Sequence, residues 1–287
     1  EDMRAVNPKL IIVSISGYGL TGPESHKPGY GRIAEAFSGV MHLTGEADGP
    51  PLAPGFSTAD VTTATMAAFG LAMALYRRDA HGAPPVTIDL GLHETVSRMI
   101  DWQIILHDQL GLVPKRAGAK YPIEGAFITN SCQDKDGKWL TVSGPAAVMR
   151  KVLALLGVAD DPRFASEEAL HRHVKAFDAV LVEWVSRHSR DEALALLAKA
   201  GATCGPIYDV ADIVADPQYQ ARGTVATVHD QDLGDVKMVG VVPRIPEAPG
   251  AIQWTGPALG QHNEEVFGDL LELRKEEIAK LREEHVI

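Results

Sequence analysis

The sequence predicts an α/β fold with a parallel sheet in its first part. Two apolar runs, and the helices that alternate with them, carry that expectation. Residues 9–15, from Lys9 to Ile15, form an apolar run of the kind found in a strand covered on both faces. Residues 86–90, from Val86 to Leu90, read as a second short strand. Helical patterns fill the stretch between them and the stretch that follows, and alternation of strand with helix points to parallel pairing through crossovers.

In chain order, the first strand ends in the loop Ser16-Gly17-Tyr18-Gly19-Leu20-Thr21-Gly22-Pro23, at what would be the carboxyl edge of the sheet, where open α/β folds gather ligands. The loop lacks the Gly-Lys-Ser/Thr ending of a phosphate loop. Residues 32–37 read as a short helix, and 45–51 as a surface turn rich in Gly and Pro. Residues 55–65 are a stretch of small residues with one carboxylate, Asp60, followed by the apolar run 66–75 and by Arg77 and Arg78. Asp60 is expected as the N-cap of a buried helix, with the two arginines at its C-terminal end. A further helix is expected over 93–110.

Composition changes at 111–125, where Pro114, Gly118, Pro122 and Gly125 give linker character, and a domain boundary is expected there. Beyond it, Asp136-Gly137 between two alternating stretches signals a hairpin. Helices are expected over 147–156, 166–186 and 190–200, a loop at 203–207, and a helix over 210–215 that restarts at Asp216-Pro217. Asp232 to Asp235 brackets a second hairpin. A pair of amphipathic helices is expected from Gly260 onward.

The 287 residues are 45% hydrophobic and 23% charged, as in a soluble globular protein. With 27 Lys and Arg against 38 Asp and Glu, the net charge of −11 argues against a nucleic-acid or anionic-membrane partner. Cys132 and Cys204 are too few for a disulfide framework and show no metal-ligand spacing, so no metal and a reducing, cytoplasmic compartment are expected. No signal peptide opens the chain, and no uninterrupted apolar run reaches the roughly 18 residues of a membrane span. There is no nucleophile elbow and no zinc motif, and the histidines are scattered singly, His262 being the most motif-like. Taken alone, the residue types make Asp60 a helix cap.

A set of separated motifs adds a second role. SISGYGLTGP (14–23), PGYGRIAEAFSG (28–39), LTGEADGPP (43–51), Asp60, DGKWLTVSG (136–144), AGATCGPIYDVADIVADPQYQARG (200–223) and LGQHNEEVF (259–267) follow the order seen in the family III, or CaiB/BaiF-type, CoA-transferases, a group that extends to formyl-CoA transferase and α-methylacyl-CoA racemase. The chain resembles that family over essentially its whole length. The resemblance implies a Rossmann-like large domain at 1–110, a linker at 111–124, a smaller α+β domain at 125–222, and a return segment with C-terminal helices at 223–287 that packs on the large domain. It also implies an interlocked homodimer, no tightly bound cofactor, and an acyl-CoA donor and a carboxylic acid acceptor as substrates.

The position matching the family's catalytic aspartate is Asp60, whose carboxylate would attack the donor thioester. Gly17, Tyr18 and Gly19 are implied as part of the CoA cleft and Tyr30 as a residue near the acyl group; Gly118 and Gly125 match the glycine loop that closes over the aspartate. Racemases of the group carry His and Glu where this chain has Tyr30 and, approximately, Ala146, which favours transfer over racemisation. Gly31 departs from the acidic residue usual beside that tyrosine. Family members carry about a hundred further amino-terminal residues, including the first strands of the large domain and most CoA contacts. The alternatives are a racemase-like isomerase, or an inactive or fragmentary subunit that needs an amino-terminal partner.

Overall fold

The computed structural model describes residues 2–123, 125 and 127–287. It divides into two compact units, Glu1–Ile207 and Tyr208–Ile287.

The first part of unit one runs α1 (Asp2–Val6), β1 (Ile12–Ser16), α2 (Gly31–Ser38), α3 (Val40–Leu43), α4 (Thr58–His81), β2 (Thr87–Gly91), α5 (Leu92–Met99) and α6 (Trp102–Leu110). The two expected strands pair in parallel, Ile12 opposite Thr87 and Ser16 opposite Gly91, and α4 forms part of the crossover that parallel strands require. Helices α2, α4 and α5 meet over Ala34, Ala59, Leu92 and Val96. Two alanines in so small a cluster let the backbones approach closely. The approach is sealed by Thr63 and Thr95, buried with their hydroxyls 2.7 Å apart.

Helix α4 is not the buried helix the apolar run suggested. It buries Ala59, Thr63, Ala67 and Ala74, a stripe of small residues at helical spacing. Its large side chains face outward: Phe69 is 63%, Met73 57% and Tyr76 65% exposed. A run that is apolar on every face has no periodicity to mark its buried side. The helix also outlasts Arg77 and Arg78, ending at His81 with Gly82 in the left-handed C-cap position, φ 59°. Arg78 instead donates to the Lys9 carbonyl at 3.0 Å, tying the end of α4 to the approach to β1. Among the described residues α4 is the one helix long and apolar enough, by length and composition only, to cross a membrane. A count of consecutive apolar residues misses this, because threonines interrupt the run while Ala, Leu, Met and Phe with few charges keep the helix's mean hydropathy high.

The helix expected over 93–110 breaks at Ile100 and Asp101 into α5 and α6, with Arg98 and Asp101 paired at 2.8 Å across the break. The second part of unit one holds β3 (Ile128–Gln133), β4 (Trp139–Gly144), α7 (Ala146–Met149), α8 (Glu167–Arg172), α9 (Val174–Val185), α10 (Arg190–Lys199) and β5 (Cys204–Ile207). The Asp-Gly hairpin forms as expected, with Gly137 at φ 84°. Residues 204–207, expected as a loop, add a third antiparallel strand, Thr141 pairing with Gly205. Pro206 hid it, since proline lacks the ladder N–H, and an edge position tolerates that. The helix expected over 166–186 is interrupted at His173, between α8 and α9. The larger core lies here: Leu140, Met149, Phe164, Phe177, Leu181 and Leu197 are all fully buried, with Phe164 and Phe177 edge to face at 6.0 Å.

Asp134 joins three of these elements. Its Oδ1 accepts the N–H groups of Asp136 and Lys138, each at 2.8 Å, and its Oδ2 accepts the Arg190 N–H that opens α10, at 2.6 Å. Desolvation pushes the Asp134 carboxyl up, but the backbone donors from Lys138, Asp136 and Arg190 outweigh it and hold the group below the usual range.

Unit two contains α11 (Val210–Ala215), α12 (Pro217–Ala221), the antiparallel pair β6 (Val225–Asp230) and β7 (Gly234–Val239), a π-helical segment Glu264–Leu270, and α13 (Lys275–Glu283). Asp209 and Asp216 cap α11 and α12 with their side chains, and Gly234 turns the ribbon at φ 73°.

Candidate active site around Asp60

Asp60 is the third residue of α4, not its N-cap. Ser57 holds the cap position and makes no side-chain bond there. The first turn is satisfied from outside the helix: the Thr58 N–H donates to Oε1 of Glu35, on α2, at 2.8 Å. Glu35 is fully buried, and Arg32 Nη1 stands 3.1 Å from its Oε2. Neither Glu35 nor Arg32 stood out in the sequence. The available signal was an acid inside the apolar pattern Ile33, Ala34, Ala36, Phe37.

The Asp60 carboxylate is exposed and lies against Gly31, the first residue of α2. A Cβ on residue 31 would fall 2.0 Å from Asp60 Oδ2 and 2.9 Å from its Cγ. The glycine that departs from the family pattern is therefore the gap into which Asp60 folds. The carboxylate is thus carried by the first turn of α4 and lies beside the first turn of α2.

The glycine loop reaches the same place. Gly17 and Gly29 touch backbone to backbone, a Cβ on Gly17 falling 2.7 Å from the Gly29 Cα, and Tyr30 and Gly31 follow directly. Three side chains pin the loop. The Gly19 N–H donates to Ser16 Oγ at 2.9 Å, the Leu20 N–H donates to the Asp89 carboxylate at 3.1 Å, and His93 Nδ1 lies 3.3 Å from the Gly17 carbonyl oxygen. Tyr18 packs on Phe37 and His93, with ring centroids 5.4 and 6.0 Å away. His93, ordinary in the sequence, is thus an anchor of the loop. Tyr30 caps α2 and is 78% exposed, so it is available at the surface beside Asp60 rather than packed away.

The structure brings together Asp60, Gly31, Tyr30, Gly29, Gly17 and Tyr18, with Gly19 in the same loop. Gly118 lies elsewhere: its N–H donates to the Gly45 carbonyl at 3.0 Å, and a Cβ there would meet Glu46 Oε2 at 2.7 Å. Gly125 has open space where a Cβ would point. Ala146 is buried at the head of α7. Burial, with Asp178 adding a smaller push, raises the Cys132 thiol to about 11, and burial raises Cys204 as well, so neither supplies a thiolate near neutral pH. No three His, Cys, Asp or Glu side chains cluster to hold a metal among the described residues. An open depression of about 610 Å³ is lined by Ala154, Gly157, Asp160 and Pro162, none of them part of the Asp60 cluster.

The chain is thus a mixed α/β protein with small sheets, in which the Asp60 carboxylate stands beside a glycine loop pinned by Ser16, Asp89 and His93. The sequence model of CoA-transferase family III matches residues 1–263, and the chain belongs to that family as an enzyme of this type. It is 36% identical to the succinyl-CoA–D-citramalate CoA-transferase of Chloroflexus aurantiacus over all of this chain and 72% of that protein. It is 32% identical to the succinyl-CoA–L-malate CoA-transferase alpha subunit of the same organism, over 99% of this chain and 67% of that one. The crystal structure of a CaiB/BaiF family protein from Brucella suis matches with a TM-score of 0.81 at 32% identity, covering 93% of this chain and 70% of that one. The chain has the fold of the part of that structure it matches.

Proposed function

We propose that this chain transfers CoA from an acyl-CoA to a free carboxylic acid through a covalent intermediate on Asp60. The observation that carries this is the Asp60 carboxylate, exposed at the junction of two helix N-termini and seated in the gap left by Gly31. Its oxygen attacks the thioester carbonyl, the C–S bond breaks, and CoA leaves as thiolate with the acyl group on Asp60 as a mixed anhydride. The thiolate then attacks the Asp60 carbonyl of that anhydride and releases the donor acid, leaving an aspartyl-CoA thioester. The acceptor carboxylate attacks that thioester, forming a second anhydride and freeing the thiolate, which takes the new acyl group and restores the Asp60 carboxylate. Charge appears on carbonyl oxygens at each step, and backbone N–H groups of the pinned loop are suited to receive it.

The relatives named for succinyl-CoA with citramalate or malate support a dicarboxylic acid pair, with succinyl-CoA as donor. Tyr30 stands beside the acyl group, and Gly17, Tyr18 and Gly19 border the CoA. Gly118 and Gly125 belong to the segment that closes over the intermediate, a closure in which Gly118 leaves its place against Gly45. We further propose the Rossmann-like division at 1–110, 111–124, 125–222 and 223–287, an interlocked homodimer, and a cytoplasmic setting without a tightly bound cofactor.

The test is hydroxylamine trapping during turnover with succinyl-CoA, followed by peptide mass analysis. A hydroxamate at Asp60, together with loss of at least about a thousandfold in kcat for Asp60→Ala, supports the reading. An Asp60→Ala protein that still transfers CoA removes it. A second reading, that the chain acts only with another polypeptide, is favoured by its 32% identity to a relative named as a subunit. Activity that appears only on adding such a polypeptide distinguishes it. A racemase would exchange deuterium at the α-carbon of a 2-methylacyl-CoA, and with Tyr30 and Ala146 where that chemistry needs proton carriers, none is expected.

A further inference from the structure

We infer that Glu35 is the positioning residue for Asp60, setting the nucleophile's place by capping the helix that bears it. The inference rests on the proposed role of Asp60. Four observations carry it. Glu35 is a fully buried charged side chain, a placement that is rare unless the group is paired. Its Oε1 accepts the N–H of Thr58, two residues before Asp60, from a position 23 residues earlier in the chain. Ser57, the residue in the ordinary capping place, makes no such bond. Its Oε2 receives no hydrogen bond among the described residues and is balanced by the Arg32 guanidinium at 3.1 Å, which also donates to the Pro54 carbonyl at 3.3 Å on the approach to α4.

The geometry gives α2 two holds on the first turn of α4. Gly31, at the start of α2, provides the gap for the Asp60 carboxylate, and Glu35, one turn later, grips the Thr58 amide. Both holds come from one short helix, so the position of the carboxylate is fixed relative to Tyr30 and the glycine loop that precede that helix. Without Glu35 the Thr58 amide keeps only its local bond to the Phe56 carbonyl, at 2.8 Å, so the first turn of α4 loses its tie to α2 and frays, and Asp60 loses its place while the rest of the helix stays. Glutamine keeps an acceptor oxygen at the same reach; alanine does not. A buried carboxylate serving only the core would show the reverse, because its worth would lie in bulk and charge, not in one acceptor atom.

Three variants of the 287-residue chain test this. Glu35→Ala should speed amide hydrogen exchange at residues 58–61 about tenfold or more, with exchange over 70–80 unchanged, and Glu35→Gln should restore protection. Thr58→Pro removes the donor and leaves Glu35 intact. Proline suits the first helical position, so this variant folds and should reproduce the Glu35→Ala loss. In turnover, Glu35→Ala and Thr58→Pro should lower kcat roughly tenfold to a hundredfold, with KM for the acyl-CoA little changed, and Glu35→Gln should stay within about threefold. Unchanged exchange at 58–61 in Glu35→Ala, or a Glu35→Gln protein as impaired as Glu35→Ala, overturns the inference. Failure of the Asp60 reading shows separately, as undiminished transfer by Asp60→Ala; the exchange measurement does not depend on it.

Discussion

At the residue scale, the site turns on a side chain that is absent. Gly31 needs no special backbone angle; it needs to lack a Cβ, because Asp60 Oδ2 would stand 2.0 Å from it. Gly31→Ala should therefore leave the fold in place, since alanine favours a first helical turn, and push Asp60 to another rotamer. The expected result is a kcat lowered roughly tenfold to a hundredfold, seen in steady-state assays with an unchanged circular dichroism spectrum. An unaltered kcat would mean that the observed rotamer is not the reactive one. The candidacy of Asp60 came from the family's motif order; its residue type and neighbours alone made it a helix cap, a place the structure gives to Ser57. Glu35 was not legible in the sequence, because the bond that gives it meaning spans 23 residues, and no local pattern encodes a contact between the middle of one helix and the start of another.

At the element scale, the parts that were legible carry their own punctuation. Both hairpins announce themselves through glycines that adopt positive φ, Gly137 and Gly234. The parallel pair was legible from its apolar runs. The breaks at Ile100 and His173 were not, since neither has a proline or glycine to mark it, and tertiary packing decides them. Asp134 shows how one residue can join three elements. Its native carboxyl is held below the ordinary range near 3.9, so its contribution to stability is fully present above that value and is lost as pH falls through the lower native one. In urea denaturation, the stability gap between the wild-type chain and Asp134→Asn should be present at pH 7 and shrink below about pH 4. A gap of constant size would remove the electrostatic account. In the same core, Phe177→Ala should cost about 3 to 5 kcal/mol in the same measurement, because Phe177 is fully buried against Phe164.

At the scale of the whole molecule, the two parts of unit one differ in how they bury surface. The part after β3 holds a broad core of large side chains, whereas the part before it relies on alanine and threonine contacts between α2, α4 and α5. The linker is held at intervals: Arg116 donates to the His42 carbonyl at 3.1 Å, Gly118 to Gly45, and Lys120 to Asp178 on α9. If residues 111–124 form a boundary, limited trypsin digestion should cut first at Lys115, which has none of these bonds, and release a resistant fragment starting at Arg116. First cuts within 139–207 would argue against that boundary.

The outward face of α4 has a practical consequence. Phe69, Met73 and Tyr76 stand in water on a helix with almost no charge over its central turns, and a folded surface of that kind takes up hydrophobic dyes as readily as a melted one. Dye-based melting curves of this chain should start from a bright baseline and show little rise, so its unfolding is better followed by circular dichroism. Bench handling should follow the same logic, with mild detergent keeping the chain off plastic and chromatography resins.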